Sequence, residues 1–342
     1  VEARRSLKRL LQARKPDVAH LHNVYHQLTL SIVDELRAQN IPIVLTLHDY
    51  KPVCPSYVVY TKGEVCHRCV GSHPGHAIVH RCIKGSRAAS AIAVIEAGIV
   101  ASRRSYGNID AFISPSQHLA GVMASGGLNA ARIHVIPNFV ADEQFRAEES
   151  VVQSGSPMVV FVGRLEDVKG IHTLLEAARL LRSNAEVVIV GGGPLEAAVE
   201  AAAEDGAVRY EGRKDWPDVA AFMDNARAVL VPSLWEENCP MVTLEAGARH
   251  CSVIGSDRGG LRDLVRHDVD GILFPTGDAA ALAQAIDRVC EDGVFASRLG
   301  RARYTRTLEH NTANAHLPTL MMVYEEATKI ARSRSGHWYR KN

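Results

Sequence analysis

From residue 158 onward, short runs that are apolar at nearly every position alternate with stretches whose apolar residues recur near the 3.6 period. The runs are MVVFVGRL, EVVIVGG, AVLVPS and SVIGS, closing on or near Gly, Pro or Ser. Between them lie HTLLEAARLLRS, DVAAFMDNA and VTLEAGARH. A strand apolar at every position must be covered on both faces, and the intervening helices supply that cover. The pattern therefore predicts a parallel, doubly wound α/β sheet. The first half repeats the rhythm less completely. It runs VAHLH, a helical LTLSIVDELRAQN, PIVLTLH, a cysteine-rich segment, a helix near 86–104, then AFISPS and RIHVIPN. A polar stretch over 140–156 separates the halves, and HLPTLMMVYEEATKIARS reads as a last amphipathic helix. The predicted division is 1–145, 146–315, and a C-terminal helix and tail over 316–342. A chain of 342 residues is also long for one ordinary core and suits two.

A net charge of +1 offers no bulk attraction for nucleic acid. No apolar run reaches the ~18–20 residues that cross a bilayer. The most apolar stretch, AASAIAVIEAGIVAS, is short and is interrupted by Glu96. The start carries no signal-peptide pattern, so the seven cysteines are expected in a reducing, cytoplasmic setting.

In open α/β sheets ligands sit beyond the carboxyl ends of the strands. Three strand ends here carry suitable groups. FVGRLEDVKG offers Gly163, Arg164 and Lys169, a planar fork and a mobile cation suited to phosphate, although a solvated surface pair would look the same. VGGGPLE offers Gly191, Gly192 and Gly193 for close backbone approach at a helix start, or simply a tight turn. LWEENCPMVTLEAG places Glu237 just before Pro240 and Glu245 eight positions later. Pro240 fits the first helical position, where its missing N–H costs nothing. The N–H groups of Met241, Val242 and Thr243 would then face an anion. Each carboxylate could accept from a pair of hydroxyls, as on ribose or a hexose, or could merely favour the helix dipole.

The segments GRLEDVKG, VGGGP, PSLWEENCPMVTLEAGA and DRGGLRDLV…DGILF, in this order, resemble those of the retaining glycosyltransferases of family 4. EENCPMVTLEA is similar to that family's E-x7-E motif, and KPDVAHLHN, PIVLTLHDY and HVIPNFV extend the likeness into the first half. The resemblance implies a GT-B fold, two Rossmann-like domains with parallel sheets facing a cleft. It implies transfer of a hexose from a UDP- or GDP-linked sugar to a glycan or lipid-linked acceptor, as in cell-envelope polysaccharide or glycolipid synthesis. Arg164 and Lys169 would hold the diphosphate and Glu245 the ribose. Glu237, with backbone from Cys239 through Pro240, Met241 and Val242, would hold the sugar, and Gly163 and Gly192 would line the donor site. His48, ending the VLTLH run, would stand near the reaction centre. No metal cofactor would be required for catalysis. The family opens on a strand and a Gly-Gly loop that this chain does not show, so an incomplete first domain is expected, with a non-catalytic nucleotide-sugar-binding fragment as an alternative. A nucleotide-sugar epimerase on the same fold is a further alternative.

Cys54, Cys66, Cys69 and Cys82 are spaced C-x11-C-x2-C-x12-C. A structural zinc, reduced thiols in an insertion, and disulfides in an oxidising compartment all fit that spacing. Arg87, Arg103 and Arg104 flank the apolar helix near 86–104. It is either a core helix with basic ends or a surface helix giving peripheral contact with the inner membrane face.

Overall fold

The computed structural model describes residues 2–25, 28–146 and 156–338. Twelve strands lie among them: β1 (Ala19–His22), β2 (Ile43–Thr46), β3 (Tyr60–Thr61), β4 (Glu64–Val65), β5 (Ala111–Ser114), β6 (Ile133–Val135), β7 (Met158–Arg164), β8 (Glu186–Gly192), β9 (Arg209–Gly212), β10 (Ala226–Val231), β11 (Ser252–Ser256) and β12 (Ile272–Phe274). They fall into two compact units, one of residues 138–316 and one of residues 1–137 with 317–342.

The unit of residues 138–316 is a six-stranded sheet in the order β12-β11-β10-β7-β8-β9, with every pair parallel. Side chains alternate across a strand, and here each set meets its own core. Val159, Phe161, Val187 and Ile189 pack with Leu174 of helix Ile171–Leu180 and Leu282 and Ile286 of helix Ala279–Glu291. Met158, Val160, Val188 and Val190 pack with Met223 of helix Trp216–Asn225 and Leu244 of helix Met241–Ala248. Two buried faces are the reason these strands read as unbroken apolar runs.

The other unit holds a four-stranded parallel sheet, β1-β2-β5-β6, and a separate antiparallel ribbon, β3-β4. One face carries Leu21, Ile43, Leu45 and Phe112 with Val33, Leu36, Leu119 and Met123. The opposite face, with Val44, Ala111, Ile113 and Ile136, is covered by Val323 and Ala327 of the last helix, Ala313–Trp338. Arg334 pairs with the fully buried Asp110 at 2.6 Å and fixes the end of that helix.

The domain bounds need two corrections. The division falls at Pro137/Asn138, ahead of the polar stretch over 140–156, of which residues 147–155 lie outside the described residues. The last helix is no separate tail: from Leu317 it belongs to the first unit, because the exposed apolar face of β2 and β5 needs a cover.

Candidate functional site

From β7 the chain runs to β8 and β9 on one side, then returns to place β10 on the other. The order reverses between β7 and β10, and ligands of open α/β sheets lie at such a switch point. Lys169 follows β7 in a 3-10 turn, Asp167–Lys169, and Gly170 follows it with φ of 74°. A Cβ at Gly170 would stand 1.9 Å from the Pro232 carbonyl oxygen, so only glycine lets the β7 loop dock on the β10 loop. The Leu234 N–H donates to the Val168 carbonyl at 2.8 Å and seals that contact.

This docking brings Lys169 Nζ to 2.7 Å from Glu237 Oε1. The Ser233 hydroxyl donates to the same oxygen at 2.7 Å. Glu237 is 5% exposed, and its Oε2 has no partner among the described residues. A carboxylate on a residue so little exposed, with one oxygen left to accept, is suited to a ligand hydroxyl. Lys169 also lies over the Trp235 ring, 5.2 Å from its centre. The β11 loop pins the Glu237 backbone, since Gly260 N–H donates to the Glu237 carbonyl at 2.7 Å. A Cβ at Gly260 would lie 1.9 Å from the Asn238 carbonyl oxygen, which accounts for the second glycine of DRGG, a role the sequence did not reveal.

Helix Met241–Ala248 starts one residue later than expected. Pro240 is its N-cap, not its first helical residue, because its ψ of 117° is extended. Thr243 bonds back to the Pro240 carbonyl through its N–H at 3.0 Å and its hydroxyl at 2.7 Å. The N–H groups left to face an anion are therefore those of Met241 and Val242, which helix geometry leaves without acceptors. Cys239 contributes backbone alone: burial holds its thiol neutral, pushed up to about 11. Glu245, in the second turn, is partly buried with no ion-pair or hydrogen-bond partner among the described residues, and burial raises its pKa above the usual carboxylate value.

Arg164 closes β7 and is mostly exposed, paired with Glu166 at 2.5 Å. Gly163 and Gly192 belong to the adjoining ends of β7 and β8, where the Leu165 N–H donates to the Gly192 carbonyl at 3.2 Å. The β7, β8, β10 and β11 loops thus meet through main-chain bonds at one edge of the sheet.

In the first unit His48 stands just beyond β2, and His22 ends β1. His22 Nδ1 and His48 Nε2 are 2.8 Å apart. One must donate and the other accept, so at least one ring is neutral. Burial lowers both pKa values, and His22 adds charge repulsion at His48. The His20 ring lies 4.2 Å from that of His22, tilted by 40°, and His20 bonds Thr46 Oγ1 at 2.7 Å and Tyr324 Oη at 2.8 Å. His22 was not anticipated, although His20 and His22, two residues apart on one strand face, carried the signal.

Also in this unit, Ile92, Ile95 and Ile99 of helix Arg87–Ser102 are 69%, 63% and 49% exposed. They form one stripe at helical spacing, and with Tyr25, Lys51 and Tyr106 they line a cavity of about 420 Å³. The helix is thus no core helix: only Ser90 and Ala93 are buried. Arg87, Arg103 and Arg104 at its ends are exposed. Among the described residues no helix is long and apolar enough to cross a membrane.

Two family models cover most of the chain: Glycosyltransferase Family 4 over residues 1–144 and Glycosyl transferases group 1 over residues 142–306. Among curated proteins, the amylovoran biosynthesis glycosyltransferase AmsK of Erwinia amylovora is 31% identical over 177 residues, 48% of this chain and 44% of that protein. The chain spans less than half the length of the curated relatives it matches first. Among solved structures, sucrose-phosphate synthase from Thermosynechococcus elongatus superposes with a TM-score of 0.71 at 21% identity, over 94% of this chain and 76% of that one. HepE from Anabaena, solved in complex with UDP, gives 0.67 at 17% identity, over 97% and 82%. At these identities the structural likeness is one of fold.

Proposed function

The chain belongs to glycosyltransferase family 4 and has the GT-B fold, and from that premise we propose that it binds a nucleotide diphosphate sugar at the β7/β10 switch point and transfers its hexose with retention. The observation that carries this reading is the state of two carboxylates. Glu237 has one oxygen engaged by Lys169 and Ser233 and one without a partner, and Glu245 has no partner at all among the described residues. In this reading Glu237 Oε2 accepts from sugar hydroxyls and Glu245 from the ribose diol. Lys169 and Arg164 face the diphosphate, with the Met241 and Val242 N–H groups beside them. The UDP bound by HepE, a chain of the same fold, favours a nucleotide of that kind.

In transfer, the bond from the anomeric carbon to the diphosphate oxygen breaks and negative charge grows on that oxygen. Lys169 and Arg164 stabilise it, the kind of preorganised electrostatic term that dominates many enzymes. The acceptor oxygen bonds to the anomeric carbon on the same face, and its proton passes to the departing phosphate. In this reading His48, paired with His22 within the first unit, is a catalytic candidate. The apolar cavity beside Ile92, Ile95 and Ile99, with Arg87, Arg103 and Arg104 nearby in sequence, supports an acceptor that combines a lipid and a phosphate. AmsK, by its name an amylovoran biosynthesis glycosyltransferase, supports a cell-envelope polymer or glycolipid as product class.

The test is to titrate the chain with UDP-glucose, UDP-galactose and GDP-mannose by calorimetry, then incubate each bound donor with lipid-phosphate and oligosaccharide acceptors. Binding of one donor, with transfer to an acceptor at retained anomeric configuration, is expected. Binding without transfer to any acceptor would leave a nucleotide-sugar-binding fragment. Isomerised donor would indicate an epimerase.

A further inference from the structure

Residues 51–85 form a 35-residue insertion between β2 and helix Arg87–Ser102. Its regular structure is a pair of two-residue strands and one five-residue helix, His76–His80. Its buried apolar side chains are few, chiefly Val53, Val59 and Ala77. Segments below about 40 residues rarely hold a shape on such a core without a disulfide or a metal. The backbone is also strained. Tyr57, Val59, Lys62, Arg81 and Lys84 all have positive φ. For the buried, β-branched Val59, at φ of 43°, this is an outlier that surrounding structure must enforce. Something must hold this segment, and the hydrophobic side chains do not suffice.

Four cysteines occupy its middle. Cys54, Cys66, Cys69 and Cys82 all line one cavity of about 10 Å³, roughly the room for a single small occupant. They come from four different points: the turn after Val53, the residue just after β4, the loop three residues further on, and the exit of helix His76–His80. Polar groups stand at three of the sulfurs: Ser56 Oγ at 3.2 Å from Cys54, Arg68 Nη1 at 3.7 Å from Cys66, and Thr61 Oγ1 at 3.7 Å from Cys82. Arg68 donates to Cys66, the Cys82 thiol donates to Thr61, and once the sulfurs are ionised the Ser56 and Thr61 hydroxyls can donate to them from outside a metal's ligand shell.

We propose that Cys54, Cys66, Cys69 and Cys82 bind one structural Zn²⁺ that holds the 51–85 insertion in its strained path. Binding deprotonates the four thiols: four S–H bonds break, four Zn–S bonds form, and four protons leave to solvent. Among the described residues no three His, Cys, Asp or Glu side chains stand already at metal-binding geometry. Cys69 instead turns toward the Pro74 carbonyl at 3.8 Å. Loading therefore includes rotation of the sulfurs into the cavity they line, to the ~2.3 Å of a Zn–S bond. The site does no chemistry on substrate. It sets the two ends of the insertion, Lys51 and Pro52 at one and helix Arg87–Ser102 at the other, and these are walls of the 420 Å³ cavity.

The experiment is elemental analysis of the full chain, purified with reductant and without chelator, beside a thiol count. One zinc per chain is expected, with Cys54, Cys66, Cys69 and Cys82 protected in the native protein, the buried Cys239, Cys251 and Cys290 slow to react, and seven thiols titrating after denaturation in chelator. Cys66→Ser and Cys82→Ser should each bring zinc below half an equivalent, while Cys251→Ser keeps one. If the serine variants do not fold, Co²⁺ exchange into the unaltered chain decides. A tetrahedral thiolate site gives intense sulfur-to-cobalt charge-transfer absorption in the near ultraviolet. No metal with seven titratable thiols, disulfides among the four, iron in place of zinc, or cobalt bound without thiolate bands would each overturn the proposal.

Discussion

Lys169 Nζ lies 2.7 Å from Glu237 Oε1, although 68 residues separate the two in the chain. Lys169 follows β7 and Glu237 follows β10, the two strands between which the sheet order reverses, so this one ion pair spans the switch point. The Lys169 side chain is 24% exposed and that of Glu237 7%, so each group needs the other. Lys169→Ala leaves a buried carboxylate uncompensated and should destabilise the protein more than a surface change. Adding Glu237→Gln to Lys169→Ala should recover part of that loss. A double-mutant cycle in urea is expected to give a coupling of about 0.5–3 kcal/mol. Strictly additive effects would show that the pair is not formed in solution.

Glu245 should carry nucleotide affinity without carrying the fold. Loss of a hydrogen bond to a charged group is worth ~1.5–3 kcal/mol, so Glu245→Ala is expected to weaken UDP binding about 10- to 150-fold. The carboxyl also predicts a pH effect. Its pKa in the unliganded protein is raised by burial, and a diol donating to the ionised form would lower it again. Binding then expels a proton, so affinity is full above the raised pKa and falls as pH drops through it. Calorimetry from pH 7.5 to 5 should show that fall in the native protein and a shallower one in Glu245→Gln. Identical profiles would remove Glu245 from the ribose site.

The His22–His48 pair predicts a second pH dependence. Both imidazoles are held below their usual 6.5 by burial, and His48 also by repulsion from His22. The unfolded chain therefore binds more protons than the folded one as the pH approaches 6.5 from above. Stability from this source is full above that value and is lost as pH falls toward the lowered folded pKa values. Carbon-13 titration of the imidazoles should find both midpoints below 6.5. In His22→Gln the His48 midpoint should move up, since the repelling neighbour is gone. A His48 midpoint at or above 6.5 in the native protein would contradict the geometry.

How much of this was open to reading depends on what each residue answers to. The strands β7, β8, β10 and β11 were legible because both faces are buried and the apolar runs say so. β9, Arg209–Gly212, was not, because it is an edge strand with no buried residue in it. Lys169 and Glu237 could be named from their places at strand ends. Their mutual contact could not, since it depends on Gly170 admitting the Pro232 carbonyl. Arg303 escaped altogether: it sits in an ordinary helical stretch, yet it is 2% exposed and donates to the Thr243 carbonyl at 3.0 Å. Burial holds its pKa down to about 10 even with Asp270 3.7 Å away. Nothing local in sequence marks a buried arginine that supports another helix from below. The last helix was read correctly as amphipathic, but which sheet it covers is a tertiary matter.

The Ile92–Ile95–Ile99 stripe predicts peripheral membrane contact. Exposed apolar residues flanked by Arg87, Arg103 and Arg104 suit a bilayer surface carrying anionic lipid, each well-placed cation adding about 1 kcal/mol. The chain should sediment with phosphatidylglycerol-containing vesicles at low salt and release as the Debye length falls below ~8 Å. Arg103→Glu with Arg104→Glu should abolish the pelleting. Protein left in the supernatant at low salt would confine the helix to a role in acceptor binding away from the membrane.

The most direct measurement compares UDP with its sugar-bearing form on one variant. Glu237 Oε2 is assigned to the hexose alone, so the increment in affinity that the hexose adds should vanish in Glu237→Gln. Binding of UDP itself, which rests on Glu245, Arg164 and Lys169, should change much less. Calorimetric titration of native protein and Glu237→Gln with UDP and with the preferred UDP-sugar gives four affinities and that difference. A hexose increment present in the native chain and lost in Glu237→Gln is the predicted result. An increment that survives the substitution, or native protein that binds neither ligand, would contradict a donor-sugar site at the β7/β10 switch point.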